Sequence, residues 1–231
     1  MPTPFIISNP PVKRTENDDV LFENMVDRYV GRLVYTSSGS FIKNNFPYAR
    51  MILVRCQAAG GAGAGATSDP FGGSGGGGGQ YAESFLETTS LPSSVSVHVG
   101  LGGDGIQGLG TNGGTSKFGS LVVAVGGNAS AIANGGQATA TADGTGQLIF
   151  NGSGGGVGAR DNVGSARVSF GGAGGASHLG AGAAGLGVSN VSTNGPPGEP
   201  FGGGGAGARR CVGGREGGDG GPGVVIVELY A

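Results

Sequence analysis

The chain has 231 residues, of which 56 are glycine and 11 proline, with a formal net charge of −2 and 12% charged residues. So balanced and sparse a charge excludes nucleic acid as the main partner, because phosphate binding needs clustered Lys and Arg. A mean hydropathy of +0.02 excludes the polar, highly charged profile of a disordered chain. The chain is therefore read as folded.

Residues 1–32 read as an N-terminal arm. Pro2, Pro4, Pro10 and Pro11 make its start extended. It lacks the basic n-region of a secretory signal, and no apolar run in the chain approaches the ~18 residues of a membrane span. Synthesis and assembly in a cytoplasm are expected, without membrane insertion. Asn17 or Asp18 is placed to cap a short helix over residues 20–30, with Val20, Leu21, Met25, Val26 and Tyr29 on its apolar side. The arm suits attachment or an oligomer contact, and equally a helix packed on its own domain.

From residue 33 to residue 231 the chain reads as one glycine-rich β domain. Leu33-Val34-Tyr35 and Ser40-Phe41-Ile42 flank Thr36-Ser37-Ser38-Gly39, which reads as a hairpin. Within residues 48–57, Met51-Ile52-Leu53-Val54 is a short apolar run suited to a strand buried on both faces. Val95, Val97 and Val99 alternate with Ser96 and His98, giving one dry face and one wet face. Residues 121–125, 148–150 and 168–170 are shorter strands of the same kind. Residues 224–229 form a strong final strand, suited to pair with residues 48–57 and so to join the two ends of the glycine-rich region.

All but two of the glycines lie between residues 60 and 223. The spacing is irregular, as in Gly60-Gly61-Ala62-Gly63 and the run from Gly75 to Gly79, so a collagen triple helix is excluded. Ordering a glycine costs ~0.5–1 kcal/mol more than ordering an alanine. A flexible linker avoids that cost by staying unordered, but the Val and Ile strands spread through the region do not fit a linker. Close backbone packing offsets the cost. Polyproline II helices have no internal hydrogen bonds. Without side chains between them, their N–H and C=O groups bond across helices at ~0.5–1.5 kcal/mol each. The fold class expected is therefore all-β: a small antiparallel β-sandwich or cap combined with a polyglycine, polyproline II-type helix bundle.

The motifs that carry chemistry elsewhere fail on context. Gly108-Leu109-Gly110-Thr111-Asn112-Gly113 matches G-x-G-x-x-G, but no helix start follows it. Gly72-Gly73-Ser74-Gly75-Gly76 matches G-x-S-x-G, but the glycine run after it cannot form the helix of a nucleophile elbow. His98 is expected to face solvent or a subunit, and His178 lies in a glycine-rich turn without ligand-type neighbours. Asp104 and Asp219 also lie in such turns, but the calcium-binding nonapeptide repeat is absent. Arg209, Arg210 and Arg215 stand near Glu216 and Asp219, as a contact for a phosphate or anionic glycan or as a solvated or salt-bridged surface. Tyr81, Phe85 and Phe118 either stack on sugars or plug gaps in the core. Cys56 and Cys211 are read as small buried or half-buried thiols, since a cytoplasmic origin argues against a bridge. No catalytic, cofactor-binding or metal residue is assigned, no cofactor is expected, and no constellation of nucleophile, base and orienter is present. Receptor-binding residues are left unassigned.

The order of the pieces carries a resemblance. A short hairpin ending in an apolar strand, Gly39-Ser40-Phe41-Ile42 through Pro47 to Ile52-Leu53-Val54-Arg55, precedes a first Gly/Ala run over residues 60–66. The glycine block 75–79 leads to Tyr81-Ala82-Glu83-Ser84-Phe85. Then come Leu91-Pro92-Ser93-Ser94-Val95-Ser96-Val97-His98-Val99, Gly113-Gly114-Thr115-Ser116-Lys117-Phe118-Gly119, and finally Gly220-Gly221-Pro222-Gly223 with a Val/Ile strand. Over residues 33–231 this resembles the glycine-rich minor tail proteins of tailed bacteriophages, especially phages of actinobacteria. The resemblance implies a virion structural protein near the host-contacting end of a tail, tip or fibre. It also implies a homo-oligomer (a trimer, as tail fibres are usually built), with other tail proteins and a host envelope glycan or glycolipid as partners. A cellular glycine-rich surface protein of the mycobacterial Gly/Ala-repeat type is the alternative, although its helical N-terminal domain has no counterpart here. An ice-binding polyproline II bundle would want a regular repeat with a flat face, which the sequence does not display.

Overall fold

The computed structural model describes residues 5–8, 29–66, 72–130, 144–163, 166–209 and 213–231. The strands, in chain order, are β1 (Phe5–Ser8), β2 (Tyr29–Tyr35), β3 (Gly39–Ile42), β4 (Met51–Gln57), β5 (Tyr81–Glu87), β6 (Ser94–His98) and β7 (Ser116–Phe118). They continue with β8 (Val122–Ala124), β9 (Leu148–Phe150), β10 (Ala159–Val163), β11 (Ala166–Gly171), β12 (Leu186–Ser189) and β13 (Val224–Tyr230). The described part of the chain is nearly all β. A six-stranded sheet runs β1-β2-β13-β4-β5-β9, a four-stranded sheet β3-β6-β7-β8 and a three-stranded sheet β10-β11-β12. Neighbouring strands are antiparallel.

Period-two alternation builds one core from the two larger sheets. Leu33, Ile52, Val54, Val225, Val227 and Leu229 of the six-stranded sheet are buried in a single cluster with Phe41, Val95, Val97, Phe118 and Val122 of the four-stranded one. The final strand pairs with β4 over its whole length, from Val224 opposite Gln57 to Tyr230 opposite Met51. The expected closure of the glycine-rich region is therefore present. In β6 and just beyond it, Val95, Val97 and Val99 are buried while Ser96 and His98 are exposed, as the alternation required.

Two expectations are corrected. The segments flanking Thr36-Ser37-Ser38-Gly39 do not form a hairpin. β2 pairs with β1 and β13, whereas β3 crosses to the other sheet and pairs with β6. The alternation that a hairpin needs also suits a corner between sheets. Here both edges of β2 are already taken, and Phe41 gains a fully buried place between Phe46 and Phe118. The helix expected over residues 20–30 falls mostly outside the described residues, but Tyr29 and Val30 open β2 and are not helical.

Between the strands run extended segments that belong to no sheet, and their hydrogen bonds follow a period of three. In residues 58–66, the amides of Ala58, Gly61 and Ala64 donate to Gln80, Gly77 and Ser74. Those of Ala59, Ala62 and Gly65 donate to Gly114, Thr111 and Gly108. Those of Gly60, Gly63 and Ala66 donate to Gly221, Gly218 and Arg215. Each step of three residues along this segment moves the acceptor back by three along its neighbour, so all three neighbours run antiparallel to it. The same rotation recurs in residues 203–209. Gly203, Ala206 and Arg209 donate to Glu199, Pro196 and Thr193; Gly204 and Gly207 to Gly175 and Gly172; Gly205 and Ala208 to Gly61 and Ala64. The last pair runs parallel. Most backbone N–H groups in these buried segments thus find a carbonyl, as burial demands.

Glycine is what allows the approach. A Cβ built on Gly61 would overlap the carbonyl of Asn128, and one on Gly204 the carbonyl of Gly76. Two buried glutamines manage the change from sheet to segments. Gln57 Nε2, at the end of β4, donates to the carbonyls of Ala58, Gly79 and Gln80 at 3.2, 3.0 and 3.1 Å. Its Oε1 accepts from Leu179 N at 3.3 Å. Gln80, just before β5, accepts from Val125 N at 3.1 Å and donates to Asn151 Oδ1 at 2.9 Å.

Candidate functional site

The segments leave the two larger sheets and turn back at the opposite end, where several loops meet. Cross-bonds place them together: Ala66 bridges Arg215, Gly65 bonds Gly108, Gly72 bonds Ala159 and Thr193 bridges Arg209. This distal end comprises the turn over residues 106–109, the hairpin of β10 and β11, β12 with residues 190–193, and the chain around Arg209 and Arg215. Loops of this kind, carried by a rigid scaffold, are where binding residues concentrate. Ile106, Leu109, Val157, Val188 and Val191 are exposed there, the last four by more than half.

Arg209 and Arg215 are both half-buried. Arg209 spends its donors on neutral oxygens of the neighbouring loop: Nε on the Val191 carbonyl at 2.8 Å, Nη1 on the Gly187 carbonyl at 2.8 Å and Nη2 on Thr193 Oγ1 at 2.9 Å. Arg215 Nη1 reaches the carbonyl of Gly214 at 3.1 Å. Arg210 lies outside the described residues, as does Cys211.

The other singled-out residues are dispersed. His98 is exposed on β6, with Nδ1 3.3 Å from Ser38 Oγ. Asp219 accepts from Gly105 N at 2.6 Å, and the carbonyl of Asp104 accepts from Thr111 N at 3.1 Å. No group of three or more His, Cys, Asp or Glu side chains able to hold a metal occurs among the described residues. Ser74 of the G-x-S-x-G match is fully buried; its Oγ accepts from Gly158 N and its carbonyl from Ala64 N and Ser130 Oγ. Phe118 plugs the core, whereas Phe85 is exposed and packs on Tyr230 at 5.6 Å. Cys56 is buried, with Sγ 3.7 Å from the carbonyl of Val122, and burial pushes its thiol up to about 12. That thiol is inert at neutral pH.

Two features escaped the sequence reading. His178 stacks on Phe150 with centroids 5.0 Å apart and lies 4.5 Å from the ring of Tyr81, tying the turn over residues 177–180 to the sheet edge. On the outer face of the large sheet, Tyr81 Oη donates to Glu83, Arg55 bonds Glu83 at 3.4 Å and Glu228 at 2.8 Å, and Tyr230 Oη donates to Glu228 at 3.1 Å. Burial, with Glu83 beside it, holds the Tyr81 phenol well above its ordinary value. Both features join residues distant in sequence, and the only local signal is the alternation of strands β4, β5 and β13. An open depression of about 300 Å³ lies between Phe46, Pro47, Ala49 and Thr88. Two of its polar side chains are committed: Lys43 Nζ donates to the Leu91 carbonyl at 2.7 Å and Thr88 Oγ1 to the Ala49 carbonyl at 2.6 Å.

A family model described as a glycine-rich domain matches residues 36–230. The chain belongs to this glycine-rich domain family. The match begins just after β2 and covers the rest of the six-stranded sheet, the four-stranded sheet, the interior segments and the distal loops, while β1 and β2 precede it. No curated protein matches the chain.

Proposed function

We propose that this glycine-rich domain protein is a virion structural protein of a phage tail tip or fibre that contributes to attachment at the host surface. The observation that carries the reading is the rotation of the 58–66 amides through three neighbours in steps of three. A polyproline II chain turns once every three residues. The rotation therefore supports reading the interior segments as polyglycine helices packed side by side, with the two larger sheets as a sandwich at one end. Such a body is cross-bonded in more than one plane and carries little charge. It suits a stiff spacer that holds loops away from an anchor. The anchor is assigned to the N-terminal residues, since β1 and β2 form one edge of the large sheet, with other tail proteins as partners and a homo-oligomer as the assembly. The distal loops are assigned the host contact, with an envelope glycan or glycolipid as partner.

The test is electron microscopy with antibody raised against the purified chain. Label at the tail end of phage particles supports the proposal. Label confined to a bacterial cell wall, with none on particles, overturns it in favour of a cellular surface protein. Binding of the purified protein to a panel of intact actinobacterial cells tests the adhesive half.

A further inference from the structure

One side chain holds the distal loop that joins β12 to residues 193–199. The guanidinium of Arg209 meets the carbonyl of Gly187, the carbonyl of Val191 and the hydroxyl of Thr193, each within 2.9 Å. The main chains of Arg209 and Thr193 also bond reciprocally, at 2.9 and 2.8 Å. Three acceptors spread over seven residues thus converge on one planar fork, which a guanidinium can serve and a single ammonium cannot. The interior segments do not need these bonds, because residues 203–209 are already paired through their own amides. Between the tethered points stand Val188 and Val191, 62% and 59% exposed. The loop's backbone is drawn toward the arginine while its valines face outward. Ordering a loop before it meets a partner removes part of the entropy cost of binding.

The geometry points to Arg209 as the positioning residue that sets the 187–193 loop for contact at the distal end. Its hold on the loop stands on the geometry alone; the purpose rests on the host-contact reading above. Arg209→Ala and Arg209→Lys are each compared with the wild type by amide hydrogen exchange, thermal melting and binding to the same panel of actinobacterial cells. The expected result is exchange at Val191 and Thr193 about tenfold faster or more in both variants, because charge-assisted bonds are lost. Exchange at Gly61 and Gly76 and the melting temperature stay unchanged, and cell binding weakens. Unchanged exchange at Val191 and Thr193 overturns the inference, as does full rescue by lysine. Equal acceleration at Gly61 and Gly76 also overturns it, since Arg209 would then support the interior segments and not the loop. If the loop loosens as expected but even the wild type binds no cell in the panel, the hold of Arg209 stands and the host-contact reading falls.

Discussion

A methyl group on Gly76 would land between the carbonyls of Gly61 and Ala62. Both belong to buried backbone that has no room to retreat, so Gly76→Ala is expected to destabilise the protein by about 2–3 kcal/mol or more. Gly187 has nothing within 4 Å of its Cβ direction, and Gly187→Ala should stay within about 0.5 kcal/mol of wild type. Urea denaturation of the two variants checks the contrast; equal stability would mean that the glycines serve flexibility and not close approach. The glycine content announced such packing, but not which positions needed it. Ala58, Ala59, Ala62, Ala64 and Ala66 lie buried in the same segment as the indispensable glycines. Their tolerance depends on which neighbour each Cβ meets, and that is fixed only when several distant segments assemble. Gln57 was equally silent, because nothing local distinguishes a glutamine that caps three carbonyls from one in solvent. Gln57→Leu removes that donor and should cost about 1–3 kcal/mol, read by the same denaturation.

At the scale of elements, the sheet core makes a prediction about pH. Burial raises the Cys56 thiol from 9.0 to about 12 and the Tyr35 phenol from 10.0 to about 12. Both folded values lie above the unfolded ones. The stability these groups contribute is therefore intact below pH 9 and is lost as pH rises toward 12. For Cys56 alone the loss by pH 11 is about 2–3 kcal/mol. Denaturation midpoints at pH 8 and pH 11 should differ accordingly, and the difference should shrink in Cys56→Ala. An equal drop in that variant would remove the thiol from the account. The strands themselves were the most legible elements. Residues 48–57 and 224–229 announced themselves by apolar runs, and β6 by strict alternation. The corner between β2 and β3 was misread because a period of two tells which face is dry but not which sheet a strand joins. Strands β10 and β12, short and poor in large apolar residues, offered almost no periodic signal.

At the scale of the whole molecule, the bonding of the interior segments to one another decides the architecture. Composition made close backbone packing the expectation, and the glycine-rich domain family accounts for residues 36–230 of the chain. The distal loops could not be placed from sequence, because which turns share an end depends on the direction of every segment. The most direct measurement is NMR scalar coupling across hydrogen bonds, which names the acceptor of each amide. The expected result is that Gly60, Gly61 and Ala62 couple to the carbonyls of Gly221, Gly77 and Thr111, and that Gly63, Ala64 and Gly65 return to Gly218, Ser74 and Gly108. Couplings that alternate between only two neighbours, as in an ordinary sheet, would contradict it.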